Sequence, residues 1–581
     1  MSSQPAEGTA RSLLPLCLLI AALTCLAYLP TLAGDFVWDD LSLIRDNPHL
    51  GNPANLPRYF TNDLGRFNQF PHSMNFYRPL QPLTFFVEYR LWGLNPFGFH
   101  LTNLLLHICA SLAAFKLLLL LAPGRIKAAV FGALLFALHP VHVEQVAMVG
   151  NRGGLLATLF VLLSLIYGVR ALGGERRAYA WSLITMTLAL LSKESAIVLP
   201  ALLMLCALIF HRELWRRGTR GKLALFAAGH WLLAAAYLAW RSLLGIALVG
   251  QGSGLDLGRQ LAATPPLLFD HLRVLLLPLY LRPYYSIAAQ SPAATLWWIK
   301  LAVLILVAVL LLLAARRSRI AAFGVGFYIL SVAPFLNVAS LNKLFVEHYL
   351  YLPSLGLAAL CTALPLDRAS RFSKAIGALV AINLLLFGAI SFDRSLDWRS
   401  DIRLWTRAVA TDPGSPEAFN NLGSAYYQLA KAGGERSDER LILAADAFNR
   451  SLELFPANPE AAYNLGLCQL ALNDPTAAIV SMRHALRFNP DYDRALIGLG
   501  LAAVRSDIDN AHQALVGIDQ PYRAASVHLG LATGYGGAGR NDLAIEHFRV
   551  FLDGAAPDHP QRERVERHLL YLVERQEKLR N

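Results

Sequence analysis

The sequence predicts an all-α protein in which a polytopic bundle of about eleven membrane-spanning helices precedes an α-solenoid of two-helix repeats. Three observations carry that expectation. Of 581 residues, 55% are hydrophobic and only 16% charged, against roughly 25% charged in an ordinary soluble domain. Apolar runs of about 20 residues, the length that crosses a bilayer, recur as far as residue 392. Beyond them a Leu-Gly and Pro signature returns every 34 residues, the period of tetratricopeptide (TPR) repeats.

Charge divides the chain in the same place. The net charge is +12, but residues 1–392 hold 31 Lys+Arg against 15 Asp+Glu, whereas residues 393–581 hold 21 against 25. A nucleic-acid-binding protein needs a basic solvent-exposed domain, and the only exposed region is slightly acidic, so that class is set aside. Six cysteines, Cys17, Cys25, Cys109, Cys206, Cys361 and Cys468, lie far apart without a CxxC pair. They are small packing residues, neither a metal site nor a disulfide framework.

Spanning helices are expected near 12–33, 98–122, 127–149, 153–171, 179–193, 194–210, 223–245, 296–315, 320–337, 349–366 and 375–392. The first is longer than a signal-peptide core and lacks a convincing cleavage site, so it reads as a retained helix. With the amino terminus cytoplasmic, every dense basic loop falls inside: Arg125/Lys127, Arg170/Arg176/Arg177, Arg212 to Lys222, Arg316 to Arg319 and Arg368 to Lys374. Most acids then lie outside, in a first external loop (34–97) and an external region (246–295). The apolar stretch 261–281 contains Pro265, Pro266, Asp270, His271, Arg273 and Pro278, which argues for a re-entrant or interfacial segment. An odd helix count exports residues 393–581. There Leu465-Gly466 recurs as Leu499-Gly500 and Pro456 as Pro490. A first copy at Leu422-Gly423 carries a polar insertion near 431–439, and a last copy surrounds Leu529-Gly530, so about four repeats are expected.

Polar residues at membrane depth mark the candidate site. Lys127 to His139 is about 18 Å of helix, too short for a hydrocarbon core of roughly 30 Å. His139, His142 and Glu144 therefore lie submerged, with Pro140 breaking the helix. The same arithmetic submerges Lys193 and Glu194. Such groups face a wet cavity or one another. His100, Asn103 and His107 form a polar stripe that also reads as interhelical glue, and Lys193-Glu194 also reads as a structural ion pair. In the first loop, GDFVWDD places Asp39 and Asp40 where one acid could take a proton while its neighbour positions it, although most acid pairs are simply solvated. Glu347, His348 and Tyr349 form a further outer-edge cluster.

Together FVWDDLSLIRDNP, YRPLQPLTFFVEYRLWGLNPFGFHLTNLLLH, FALHPVHVEQVAMVGNRGGLLA, LSKESAIVLPALLML and EHYLYLPSLGL, followed by the repeats, resemble the transmembrane-and-TPR O-mannosyltransferases of the animal endoplasmic reticulum and their bacterial relatives, in the GT-C glycosyltransferase superfamily. The resemblance implies an inverting transferase that moves a sugar, mannose first among them, from a polyprenyl-phosphate carrier to Ser/Thr hydroxyls of exported proteins at a bacterial inner membrane. It assigns the base to Asp40 or Asp39, with Asp40 preferred. It gives Arg78, His139, His142, Arg152, Lys193 and His348 to the carrier phosphate. Glu144, Glu194 and Glu347, with His100, Asn103 and Tyr349, become orienting residues, and the acids could hold a divalent Mg or Mn ion. The repeats would engage the acceptor protein. Transfer to a lipid or envelope polysaccharide, a non-catalytic TPR scaffold and a transporter stand as alternatives.

Overall fold

The structure, a computed structural model, describes residues 7–67, 75–216, 220–246, 257–285, 295–336, 345–434, 436–518, 520–557 and 559–580. Among these every regular element is helical and none is a strand. Parts of the expected external region 246–295, namely 247–256 and 286–294, lie outside the described residues. The chain divides into two compact units, Met1–Ser400 and Asp401–Asn581. The expected edge at 392/393 falls inside a helix, Arg371–Asp397, which continues in polar residues after its apolar run ends.

The first unit contains α1 (Glu7–Tyr28), α2 (Leu80–Trp92), α3 (Pro96–Leu121), α4 (Ile126–Leu138), α5 (Val143–Ala147), α6 (Arg152–Leu172), α7 (Arg176–Ser192), α8 (Leu199–Phe210), α9 (Arg220–Leu243), α10 (Leu257–Leu276), α11 (Thr295–Arg317), α12 (Arg319–Val332), α13 (Ser354–Thr362) and α14 (Arg371–Asp397). Among the described residues, six helices are long and apolar enough to cross a membrane, or seven if α4 and the 44° bent segment after Pro140 form one span. The expected count of eleven is not confirmed. The helices at 194–210 and 319–335 have no more than 17 residues, α7 has 17 and α13 only 9, short of the roughly 20 that a straight crossing needs. Contiguous apolar sequence ran through breaks at Pro334, Pro353 and the Lys193-Glu194 pair. Helix α10 carries the proline-rich stretch with Pro265 and Pro266 inside it, and buries Leu267, Val274 and Leu275 against Tyr328, Phe345 and Leu350.

Small residues set the close crossings, as expected where lipid supplies no hydrophobic drive between helices. A Cβ on Gly356 would meet the Gly324 carbonyl at 2.6 Å, so α12 and α13 touch backbone to backbone. Ser164 and Ser182 each donate to the other's carbonyl at 2.7 and 3.0 Å, joining α6 to α7.

In the second unit the paired helices are α15 (Asp401–Thr411), α16 (Pro416–Lys431), α17 (Ser437–Leu454), α18 (Pro459–Ala471), α19 (Pro475–Phe488), α20 (Asp493–Ser506), α21 (Pro521–Gly537), α22 (Asn541–Gly554) and α23 (Arg562–Arg580). The repeat signature is a capping signature. Ser415, Asn458 and Asp474 each accept the N–H three residues on, and each is followed by Pro at the first helical position, where its missing N–H costs nothing. Gly423 lies under the Phe448 ring and Gly466 under Met482, so the glycines of these two Leu-Gly pairs admit a large side chain from the second helix. The third repeat departs from the pattern. After α20 the chain makes only a five-residue 3₁₀ turn, Ala511–Leu515, because Asp507 accepts the N–H groups of Asp509 and Asn510 and so favours a turn over a helix. At the α20–α21 crossing a Cβ on Gly530 would sit 2.0 Å from the Ile497 carbonyl. Gly530→Ala is therefore expected to destabilise this unit by about 1–3 kcal/mol, read as a lower melting temperature of the full chain. An unaltered melt would refute the close crossing.

Candidate active site around the Met148–Arg152 turn

The HPVH break organises the first unit. Pro140 ends α4, and the carbonyls around the break are met by side chains from three elements. Nε2 of His107 lies 2.9 Å from the Ala137 oxygen, Ser391 donates to Leu138 at 2.9 Å and Tyr28 to His139 at 3.3 Å. The Asn103 amide donates to Val146 and Met148 at 3.1 and 3.3 Å. In lipid an unmet carbonyl costs several kcal/mol, so the polar stripe of α3 serves the break. His100 extends it by bonding the Asp35 carbonyl at 3.2 Å, which fixes the start of the first loop. Several residues expected at the carrier phosphate are consumed in the same way. His139 accepts from Val141 N–H at 3.2 Å and contacts the Leu275 carbonyl at 2.8 Å. Buried His142 contacts the Ser354 hydroxyl at 2.8 Å.

Arg152, fully buried, also faces inward. It donates to Asn103 Oδ1 at 2.8 Å, to Thr84 at 3.2 Å, to the Phe99 carbonyl at 2.9 Å and to Glu88, with its guanidinium 4.8 Å from the Phe85 ring centre. Its geometry supports a part in tying α2 of the first loop to α3 and α6, and the phosphate assignment is withdrawn because the fork is already occupied. Arg152→Leu would leave Glu88 buried and uncompensated. A loss of about 3–5 kcal/mol is expected, seen as failure to yield monodisperse protein, and a variant as stable as wild type would contradict this account.

The acid pair splits. Trp38 adopts φ of +54°, a left-handed conformation unusual for a bulky residue, and its ring stacks with that of Trp398 at 6.5 Å. After it, Asp39 is exposed while Asp40 is fully buried. Asp40 accepts three backbone N–H groups, from Val37 at 3.3 Å, Val149 at 3.2 Å and Gly150 at 2.5 Å. Burial pushes its carboxyl up to about 8, against the pull of those donors. Asp40 thereby clips the first loop onto the turn that precedes α6.

The other edge of that turn carries the remaining charges. Glu144, buried, accepts from the backbone N–H of His348 at 3.2 Å and pairs with its Nδ1 at 2.7 Å. Asn151 Nδ2 lies 3.5 Å from the same imidazole nitrogen. Arg78 grips Glu194 through both carboxylate oxygens, at 3.0 and 2.5 Å. Tyr349 stacks on Phe335 at 4.4 Å. Lys193 is 6% exposed, and among the described residues its ammonium makes no hydrogen bond or ion pair. It lines a narrow pocket with Gln145, Ser195, Phe335, His348, Tyr349 and Tyr351. The turn thus brings together Asp39, Asp40, Glu144, Lys193, His348 and Tyr349, with Arg78–Glu194 next to Lys193 in sequence. It does not bring in Glu347, which accepts from Arg394 at 2.7 Å, the Tyr285 hydroxyl at 2.8 Å and the Arg282 N–H at 2.6 Å. Each of the three acids considered for a divalent ion faces a protein cation or histidine. Among the described residues no three His, Cys, Asp or Glu gather as metal ligands, so this donor set does not fit a shared ion.

Sequence reasoning missed two glutamines. Gln81 donates to the Gly150 carbonyl at 2.6 Å and Gln145 to the Asn151 carbonyl, so both hold the turn. Their signal was the adjacent glycines of GNRGG. A Cβ on Gly153 would strike Gln81 Oε1, and one on Gly154 would strike Gln145 Oε1, each at 2.6 Å.

A helical membrane unit that gathers an acid pair, an unpaired ammonium and a histidine–carboxylate pair on one broken-helix turn, in a chain that also carries TPR hairpins, defines a narrow class. No family model matches this sequence. A protein O-mannosyl-transferase of Caenorhabditis elegans is 27% identical over 421 residues, covering 70% of this chain and 59% of its own length. The mouse protein O-mannosyl-transferase TMTC4 is 28% identical over 489 residues, covering 72% and 64%. The chain resembles these protein O-mannosyl-transferases, as its motifs implied, and spans about six-tenths of their length. The solved TPR protein YrrB is similar over 34% of this chain and all of its own, at 21% identity and a TM-score of 0.21.

Proposed function

We propose that this chain is a membrane glycosyltransferase that moves a sugar, mannose first among the options, from a polyprenyl-phosphate carrier to Ser/Thr hydroxyls of exported proteins. The observation that carries the proposal is the turn at 148–152, with the acid pair against one edge and the Lys193–His348 pocket against the other. The names of the relatives support the reaction class.

In this mechanism the acceptor hydroxyl gives its proton to Asp39, the solvent-facing acid, and its oxygen attacks the anomeric carbon. The bond from that carbon to the carrier phosphate breaks on the opposite face, so configuration inverts. Polyprenyl phosphate departs with the bond's electron pair. Its growing negative charge meets Lys193, the Arg78 guanidinium and His348, positive or hydrogen-bonding groups placed in advance in a dry setting. Asp40 shapes the loop that presents Asp39. Asp40, preferred by the resemblance as the base, is instead a positioning residue in this mechanism, because its oxygens already serve three N–H donors. No step here passes through a metal ion.

The topology that suits this reaction has the amino terminus in the cytoplasm of a bacterial inner membrane and the repeats outside, where exported acceptors are met. Purified full-length protein in lipid nanodiscs, given radiolabelled polyprenyl-phosphate mannose and a Ser/Thr-rich exported protein, should label the protein with base-labile, O-linked sugar. Absence of label from every polyprenyl-phosphate hexose tried would sink the reading.

A further inference from the structure

We infer that Trp398 is a positioning residue for the base. Through Trp38 it holds the turn that presents Asp39, an inference that rests on the transferase reading with Asp39 as proton acceptor. Val37 to Asp40 close a tight turn in which the Asp40 N–H donates to the Val37 carbonyl at 3.0 Å. Trp38 stands second in that turn with φ of +54°, and exposed Asp39 stands third. Turns with positive φ at the second position call for Gly, Asn or Asp, and a bulky residue there is strained. Such strain persists only where the surroundings over-determine the conformation. Glycine would meet the backbone's need, so this position keeps the indole for the contact its ring makes.

That contact is with Trp398, whose ring plane lies 28° from that of Trp38, an offset stack of the kind aromatic pairs favour. Trp398 is fully buried and caps the carboxyl end of α14. The helix is itself fixed close by, through Ser391 to the Leu138 carbonyl and through Arg394 to Glu347 at 2.7 Å. The stack therefore lends the rigidity of a long helix to a loop. Arg399 strengthens the hold, since its carbonyl accepts the Asp35 N–H at 3.0 Å and its Nε donates to the Ala33 carbonyl at 3.3 Å. On the other side of Trp38, Asp40 is clipped to Val149 and Gly150. Between these two anchors the direction of Asp39 depends on the Trp38 backbone angles, which the stack on Trp398 maintains. A general base works only within hydrogen-bond reach of the proton it takes, and a misplacement of about 1 Å costs on the order of 100-fold in rate.

The test uses the nanodisc-embedded full chain with polyprenyl-phosphate mannose and a Ser/Thr-rich exported protein. Trp398→Leu should lower kcat by about 10- to 100-fold with little change in KM for either substrate. Trp398→Phe, which keeps a ring for Trp38 to stack on, should recover most of that loss. In an Asp39→Asn background Trp398→Leu should cost nothing further, because a residue that acts through the base has no effect once the base is gone. A general loosening of the fold would instead slow both backgrounds by the same factor. That equal factor, a rise in KM with kcat intact, or a Phe variant no better than the Leu variant would overturn the inference. If Trp398→Leu does not fold, Trp38→Gly, whose backbone suits the positive φ, takes its place with the same expected loss and the same silence in the Asp39→Asn background. No transfer by wild type, or full transfer by Asp39→Asn, is a separate outcome, which overturns the transferase reading or its choice of base.

Discussion

Asp39→Asn is expected to lower sugar transfer by about 10²- to 10⁴-fold, the usual contribution of a positioned general base, with no change in thermal stability. The side chain is exposed, so the amide disturbs no packing and removes only the proton acceptor. Asp40→Asn should behave differently in kind. An amide keeps one acceptor oxygen and turns an NH₂ group toward a backbone N–H of Val37, Val149 or Gly150 that now bonds the carboxylate. A buried donor set against a donor costs about 1–3 kcal/mol, so this variant should melt earlier and lose activity through a loosened first loop. Radiolabel transfer and tryptophan-fluorescence melts, measured on the same two preparations, separate the roles. If Asp40→Asn abolished transfer at wild-type stability while Asp39→Asn stayed active, the base would be Asp40 and the division drawn from burial would be wrong.

How much of this was legible before any coordinates depended on the range of the interaction. Periodicity and capping are local, so the repeats at 416–488 follow from Ser-Pro, Asn-Pro and Asp-Pro starts and from Leu-Gly pairs. The third repeat fails for a reason equally local, the Asp507 turn, but a 34-residue period hides it. Helix rise alone predicts that His139, Glu144 and Lys193 lie away from the aqueous surface, and all three are buried in the fold. Where each side chain points it does not predict. His139 and Arg152 read as phosphate ligands because a buried cation looks the same in sequence whether it faces a cavity or a carbonyl. The partners that decide the matter, Leu275 for His139 and Glu88 for Arg152, lie 136 and 64 residues away. Gln145 was overlooked for the converse reason. An uncharged side chain beside Glu144 gives no electrostatic signal, and only Gly154 opposite it reveals that its place was reserved. The helix count is not confirmed because hydropathy sums over broken helices: 194–210 opens on a 3₁₀ segment, Glu194–Val198, and within 349–366 the α-helix is only Ser354–Thr362.

Lys193→Met is expected to reduce transfer by about 10²- to 10³-fold, the loss typical of removing one prepositioned donor from a developing oxyanion, while leaving the protein as stable or more so. The two halves of that prediction have one cause. A lysine only 6% exposed, whose ammonium has no hydrogen-bond or ion-pair partner among the described residues, is an expense to the folded state, since burying an unpaired charge is costly. An apolar side chain of similar length relieves that cost and fills the same space. Arg78 offers the contrast. Its guanidinium is locked to Glu194, so Arg78→Met should lower stability as well as activity by stranding a carboxylate. The kinetic form also discriminates. If Lys193 meets charge that appears only as the carrier phosphate departs, kcat should fall with little change in KM for the donor. A variant that melts earlier than wild type, or that transfers at the wild-type rate, would mean that the ammonium has a partner in the folded protein and that the pocket is not where the phosphate charge develops.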